Sequence, residues 1–323
     1  MPKFLTVLAL GLISAAAGAA TAQTYPDRPI NLIVAAPAGG LTDVGARVVA
    51  SIAERDLKQP VVIVNKAGAG GQVGWTELAR AKPDGYTIGF IVMPGTNTVI
   101  IDPERQALIQ EDSYSPIVNQ VLDPGIVWVR ADSPYKTFKD LLEAAKKSPG
   151  TIRAATTGIL GDDHLNILMT EEAAPGTKFR IVHLEGSITQ LKEILAGNID
   201  VAFDNVGSVV KPLKAGQVRA LAVTDRTRSK FVPDVPTTAE LGYPNIVSSS
   251  TRGIVAPKGT PAPIIERLSQ AFKKAIDDPE HVKKMEEQGL ALKPMLPAEF
   301  AAYWKQIHER SKVLVDWAKK RPQ

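Results

Sequence analysis

Four segments of this chain carry the residue types that hold a small anion. Pro37-Ala38-Gly39-Gly40-Leu41-Thr42-Asp43 follows an apolar run and leads into a helical pattern near Val44. Glycines let the backbone turn tightly and come close to a ligand. Thr42 or Asp43 can cap the helix. The free N–H groups of its first turn then favour negative charge. The same residues also read as a plain strand-to-helix turn. Related segments are Met93-Pro94-Gly95-Thr96-Asn97, Thr156-Thr157-Gly158-Ile159-Leu160-Gly161-Asp162-Asp163-His164 and Asp204-Asn205-Val206-Gly207-Ser208. Each follows an expected strand, at the end where open α/β sheets bind ligands. Four such loops are more informative than any one of them.

Patterns that would carry catalysis are incomplete. Gly68-Ala69-Gly70-Gly71-Gln72-Val73-Gly74 suggests a dinucleotide loop, but Val73 stands where its last glycine belongs. No acidic residue follows at the expected distance on a strand end. Ser208-Val209-Val210-Lys211 matches Ser-x-x-Lys without its companion motifs. Neither Gly-x-Ser-x-Gly nor His-Glu-x-x-His occurs. Asp162, Asp163 and His164 are metal-ligand types, yet adjacent residues rarely converge on one ion. Capping by Asp162 or Asp163 fits better, with His164 orienting a loop or satisfying a buried polar group. The expectation is a protein with no catalytic residue, no cofactor and no metal.

Loops of this kind need strands and helices to position them. Strands are expected at 30–35, 61–64, 87–93, 126–129, 152–156, 179–183, 199–203 and 218–223. Several are apolar on both faces, as strands covered by helices on two sides must be. Thr137 opens a helix with Phe138, Leu141, Leu142 and Ala145 on one face. Ser187 with Gln190 reads as a capping box, and Gly197 as a helix stop. The alternation predicts α/β layers with mainly parallel sheets. The last ~60 residues are helical in pattern, opening at Pro263, Pro279 and Pro297. In the third of these helices Phe300, Tyr303, Trp304, Ile307, Leu314 and Trp317 form an apolar stripe read as core packing. Trp75 suits either the core or a ligand cleft.

The first residues read as a secretory signal. Lys3 is followed by an apolar or small stretch from Phe4 to Ala20, and Ala20-Thr21-Ala22 has the form that signal peptidase cuts. Residues 1–22 are therefore set apart from the fold, and the chain is expected in the periplasm. No later apolar run is long enough to span a bilayer. Cysteine is absent, so stability must come from packing without disulfides. The formal charge is +4, but acids and bases alternate along the chain. The basic cluster Lys319-Lys320-Arg321 reads as a solvated helix end, so neither nucleic-acid binding nor membrane insertion is expected.

Taken in order, a series of short landmarks resembles one family. These are Tyr25-Pro26-x-x-Pro29, then Pro37-Ala38-Gly39-Gly40-x-Thr42-Asp43, Asn65-Lys66-x-Gly68-Ala69-Gly70-Gly71 and Pro83-Asp84-Gly85-Tyr86-Thr87. Next come His164-Leu165, Gly216-x-Val218-Arg219-Ala220-Leu221-Ala222-Val223-Thr224 and Val235-Pro236-Thr237. Glu240-x-Gly242 and Ala256-Pro257-x-Gly259-Thr260-Pro261 end the series. The chain resembles the Bug, or tricarboxylate-binding receptor, family of periplasmic solute-binding proteins of tripartite tricarboxylate transporters.

The resemblance implies a type II periplasmic-binding-protein fold, with two α/β lobes around a cleft that closes on its ligand. It places lobe one at 23–122 plus 247–323 and lobe two at 123–246. It implies a small organic acid as ligand, transporter permease subunits as partners, and no chemistry on the ligand; a monomer suits such a receptor. Gly39, Gly40, Thr42 and Asp43 would offer donors from one lobe, and Thr156, Thr157, Gly158, Asp162, Asp163, Asp204 and Asn205 would close from the other, with Thr96 and Arg252 also at the cleft. Many members carry Ser or Thr where Asp162 and Asp163 stand, and an aromatic near Arg252. Arg252 would then pair with Asp162 or bind the ligand carboxylate directly; alternatively both acids cap the helix and Arg252 makes a structural pair. Other functions considered are a sensor subunit of the same fold and a hydrolase using Ser208 or a metal at Asp162 and His164.

Overall fold

The structure, a computed structural model, describes residues 25–321. The proposed signal segment 1–22 lies outside the described residues. Among the described residues ten strands and ten α-helices follow one another. β1 (Ile30–Val34) pairs in parallel with β2 (Val61–Asn65) and β3 (Thr87–Met93). β5 (Arg153–Thr156) pairs in parallel with β6 (Arg180–His183) and β7 (Val201–Asn205). These are the two parallel groups that the alternating pattern predicts.

Two long antiparallel strands join the groups. β4 (Tyr114–Arg130) has 17 residues. From Tyr114 to Pro124 it pairs with β9 (Ser249–Pro257), which also pairs with β3. From Gly125 to Arg130 it pairs with β8 (Val218–Thr224), and over Gly125–Trp128 also with β7. β10 (Leu292–Met295) adds to the first part of β4. One continuous strand thus runs from the first half of the molecule into the second. The sequence pattern predicts a strand only at 126–129 and none at 249–257 or 292–295. Polar residues explain the difference: Asn119, Gln120, Asp123, Ser250, Thr251 and Arg252 interrupt the apolar pattern, yet all are buried.

Each half has a core on both faces of its sheet, because strand side chains alternate. Ile30, Leu32 and Val34 of β1 pack with α1 (Leu41–Leu57) and α8 (Ala262–Asp277). Ile33 points the other way, toward Trp75 and Leu78 of α2 (Gln72–Ala79) and Phe300 and Trp304 of α10 (Pro297–Lys319). In the second half Val127 and Val129 join Phe138, Leu141, Leu142 and Ala145 of α4 (Phe138–Lys147). Ile126 and Trp128 pack with Val206, Val209 and Val210 of α7 (Val206–Lys214). The aromatic stripe of α10 is core at Phe300 and Trp304, while the Tyr303 hydroxyl lies 3.1 Å from Thr251 Oγ1.

The end of α10 is tied down at Lys319 and Arg321, while Lys320 stays exposed. Arg321 Nη2 donates to Glu171 Oε2 at 3.1 Å, and its side chain is only 15% exposed. Glu171 belongs to α5 (Asp162–Ala173) of the second half. Lys319 pairs with Asp102 and Glu104. The basic C-terminal cluster therefore clasps two halves of the fold. Among the described residues no helix is long and apolar enough to cross a membrane.

Candidate functional site

A cavity of about 290 Å³ lies where the two halves meet. Five helices begin on it: α1, α2, α5, α7 and α6 (Gly186–Leu195). Their N-cap residues, Gly40, Gly71, Gly161, Asn205 and Glu185, all line its wall. None of the five is capped by a side chain. Two other α-helices are capped by side chains. Thr137 forms a capping box on α4, and Asp278 caps α9 (Pro279–Glu287). The first N–H groups of a helix need acceptors. Here several sets of them surround one cavity.

The expected caps are corrected accordingly. Gly40, not Thr42 or Asp43, is the N-cap of α1. Asp162 and Asp163 are the first two residues of α5, after the N-cap Gly161. Ser187 and Gln190 form no capping box. Ser187 Oγ lies 3.2 Å from Asp204 Oδ1, and Gln190 Nε2 donates to the Phe203 carbonyl.

Eight of the thirteen expected site residues line the cavity: Gly40, Thr42, Thr157, Gly158, Asp162, Asp204, Asn205 and Arg252. Five stand behind it. The Gly39 N–H donates to Asp43 Oδ2 at 2.8 Å, and Asp43 also accepts from Arg47 and Asn65. Burial alone would raise the Asp43 carboxyl, but these donors hold it below its ordinary value. Asp43 therefore braces the first loop. Thr96 Oγ1 donates to the Val92 carbonyl of the preceding strand. Thr156 Oγ1 is shared between the Gly158 carbonyl and His183. Asp163 accepts from the Thr157 hydroxyl at 2.6 Å and from its N–H at 3.2 Å. Next to it, His164 Nδ1 accepts from the Leu160 N–H at 2.9 Å, pinning a loop whose Leu160 has φ +58°. Burial and the His183 ring lower the His164 imidazole to about 4, so it is a neutral acceptor.

The polar floor of the cavity is one connected cluster. Arg252 enters from β9 and is 5% exposed. Its Nη2 lies 3.4 Å from Asp123 Oδ2 and 3.4 Å from Asn205 Oδ1. Asn205 Nδ2 donates to Asp162 Oδ2 at 2.8 Å. The partner of Arg252 is thus Asp123, not Asp162. Asp123 Oδ1 also accepts from the Gly207 N–H in the first turn of α7. A side chain at position 207 would meet Leu290 at 2.7 Å and Asp123 Oδ2 at 2.9 Å, so only glycine permits this approach. Sequence patterns alone miss Asp123. Its one signal is an acid before Pro124-Gly125, immediately ahead of an apolar strand.

Burial dominates the charges here. It pushes the Asp123 carboxyl up to about 6, against the nearby Arg252. Asp204 is pushed up to about 7 by burial, with Asp162 adding and the Asn205 N–H opposing. Asp162 is raised by burial despite the Asn205 amide and Arg252. Asp163 is raised well above its ordinary range by burial and by the charges of Asp162 and Asp204. Arg252 Nε and Nη1, Asp204 Oδ2 and Trp75 Nε1 have no hydrogen-bond partner within the protein. Trp75 is both core and wall: it is buried, lines the cavity, and packs where a side chain on Gly71 would sit. Arg105 crosses the mouth, with Nη2 3.3 Å from the Ile159 carbonyl and Nη1 3.4 Å from that of Ala69. Among the described residues no group of three or more His, Asp or Glu side chains is placed to hold a metal ion.

Two α/β halves joined through long antiparallel strands, with helix N-termini around a cleft between them, define a type II periplasmic-binding-protein fold. The family described as the tripartite tricarboxylate transporter family receptor matches residues 45–318, and the chain belongs to it. The protein BugT of Bordetella pertussis is 34% identical over 297 residues, covering 90% of this chain and 89% of that one. The structure of the periplasmic binding protein BugD superposes with a TM-score of 0.84 at 31% identity, covering 93% of this chain and 100% of BugD. MatC from Rhodopseudomonas palustris, solved with bound malate, has a TM-score of 0.84 at 25% identity over 90% of this chain and 100% of its own.

Proposed function

We propose that this chain is a periplasmic solute-binding protein that captures a small organic acid and delivers it to the permease of a tripartite tricarboxylate transporter. The observation that carries this reading is the convergence of five helix starts without side-chain caps on one cavity that also holds a buried arginine. Each helix N-terminus favours an anion by about 0.3–1 kcal/mol where it is exposed, and by more where it is buried. Arg252 brings a buried guanidinium to the cavity wall, and charge-assisted bonds to carboxylate are the strong ones. The malate bound to MatC supports the ligand class. The cavity suits a compact acid, since pockets for drug-sized ligands start at roughly 300 Å³.

In this reading 23–122 with 247–323 forms one lobe and 123–246 the other. Residues 1–22 direct export and are removed. The lobes hinge where β4 and β9 pass between them, and the ligand stabilises the closed state because it touches both. Arg105 helps hold the mouth shut. The cleft binds without transforming: its carboxyls are committed to hydrogen bonds or buried, and Ser208 Oγ donates to the Asn205 carbonyl, leaving no activated nucleophile.

A thermal-shift screen of the mature protein tests this. Mono-, di- and tricarboxylates and amino acids are compared with neutral sugars. An acid at roughly 100 times its dissociation constant raises stability by about 2.7 kcal/mol. Shifts from sugars or simple amines alone contradict the reading.

A further inference from the structure

Part of the cavity wall is a single loop of the second half. Between β5 and α5 the chain passes Thr157, Gly158, Ile159 and Gly161, all of which line the cavity. Leu160 turns behind them. It is 6% exposed and packs with Leu165 of α5 and Val315 of α10. This reversal comes with φ +58° at Leu160. Left-handed backbone costs free energy for any residue but glycine, so the surroundings must hold it.

Three bonds fix the loop. The N–H and hydroxyl of Thr157 both go to Asp163. The Ile159 carbonyl accepts from Arg105 of the first half at 3.3 Å. At the reversal itself, the Leu160 N–H donates to His164 Nδ1 at 2.9 Å. His164 lies in the first turn of α5, so the acceptor is carried by a helix whose uncapped start is on the cavity. Its ring meets that of His183 edge-on, with centroids 4.8 Å apart and planes at 69°. His183 Nδ1 in turn lies 2.8 Å from Thr156 Oγ1 at the end of β5. These contacts set the plane of the His164 ring and with it the direction of the Nδ1 lone pair. Burial and the His183 ring keep His164 neutral near neutral pH, the form in which Nδ1 can accept.

We infer that His164 is a positioning residue for ligand capture: through the Leu160 N–H it holds the strained reversal, and so fixes Ile159, Gly161 and the start of α5 against the cavity. His164 acts from behind the wall. This rests on the solute-binding reading above and adds to it the residue that shapes one side of the site. Without the acceptor the Leu160 N–H loses its partner, the strain is unopposed, and the wall shifts.

Three variants separate the lone pair from the ring. His164→Asn places a carbonyl oxygen as many bonds from the backbone as Nδ1. His164→Gln places it one bond further out, and His164→Leu has no acceptor. Affinity is measured by calorimetry at about pH 7, where the ring is neutral. The probe is whichever of malate, succinate, citrate and benzoate raises the wild-type melting temperature most, and circular dichroism confirms folding. His164→Leu and His164→Gln should weaken binding roughly tenfold, the effect of one hydrogen bond lost beside a buried site, while His164→Asn stays within about twofold of wild type. A folded His164→Leu variant that binds like wild type overturns the proposal. Equal binding by the Asn and Gln variants also overturns it, whether or not the Leu variant folds. Hydrogen exchange of the Leu160 amide in ligand-free protein gives a second readout that needs no acid. It should be slow in wild type and His164→Asn and fast in the other two; a fast amide in wild type overturns the proposal. If none of the four acids binds wild type while this amide pattern holds, the organic-acid reading fails and the hold of His164 on the loop stands.

Discussion

Asp204 shows what the cleft demands of single residues. Its carboxyl is almost completely buried, accepts on one oxygen from Ser187 and the Asn205 N–H, and has nothing on the other. Its proton is therefore held in the folded protein up to about 7, against 3.8 for the ordinary group. The folded state binds that proton more tightly than the unfolded chain does. Stability from this group is full below about pH 4 and is lost as pH rises through about 7. Asp204→Asn, which mimics the protonated acid, should raise the melting temperature of the ligand-free protein by several degrees at about pH 8 and change it little at about pH 3. An equal effect at both values would mean that Asp204 is not buried as described. At this scale the sequence was partly legible. Small and hydroxylated residues after strands marked the right loops, but not which side chain faced inward. Asp43, Thr96, Thr156 and Asp163 each turned to a neighbour within one or two turns, and such local bonds compete with any ligand.

α4 and the helices around the cavity begin differently. α4 closes its own end with Thr137 and Asp140, whose capping box satisfies the first N–H groups locally. The five helices around the cavity do not, and glycine begins three of them. Glycine at this position costs only a few tenths of a kcal/mol relative to a good cap. It also lets the backbone approach a ligand. Thr137→Ala should lower stability by about 1 kcal/mol while leaving acid binding unchanged, measured by denaturant unfolding and titration. A change in affinity would show that α4 is coupled to the cleft. The alternation of β-branched runs and amphipathic helices makes the α/β class readable in the amino-acid sequence itself. The two crossing strands are not readable there, because they carry the site. Asp123 and Arg252 sit at buried strand positions where the pattern rule expects apolar residues.

Across the whole molecule, the same feature that hides those strands explains the architecture. β4 passes from one half to the other and carries Asp123 at the crossing, while β9 brings Arg252 to the same point. The Arg321 contact to Glu171 and the apolar cluster of Leu160, Leu165 and Val315 join the halves away from the cavity. The halves also meet at the Lys230–Glu286 pair and where Val210 approaches Gly289. In the proposed function, closure depends on a ligand that reaches both walls, with Arg252, buried and on the cavity wall, as the charge that holds it. The most direct measurement is a calorimetric titration of the tightest-binding acid from the screen into the wild-type chain and into Arg252→Met, with circular dichroism confirming that both are folded. The account predicts a dissociation constant roughly 10- to 100-fold weaker for the variant, the loss of charge-assisted bonds in a buried site. An unchanged constant in a folded variant would contradict it, and would place the acid away from Arg252.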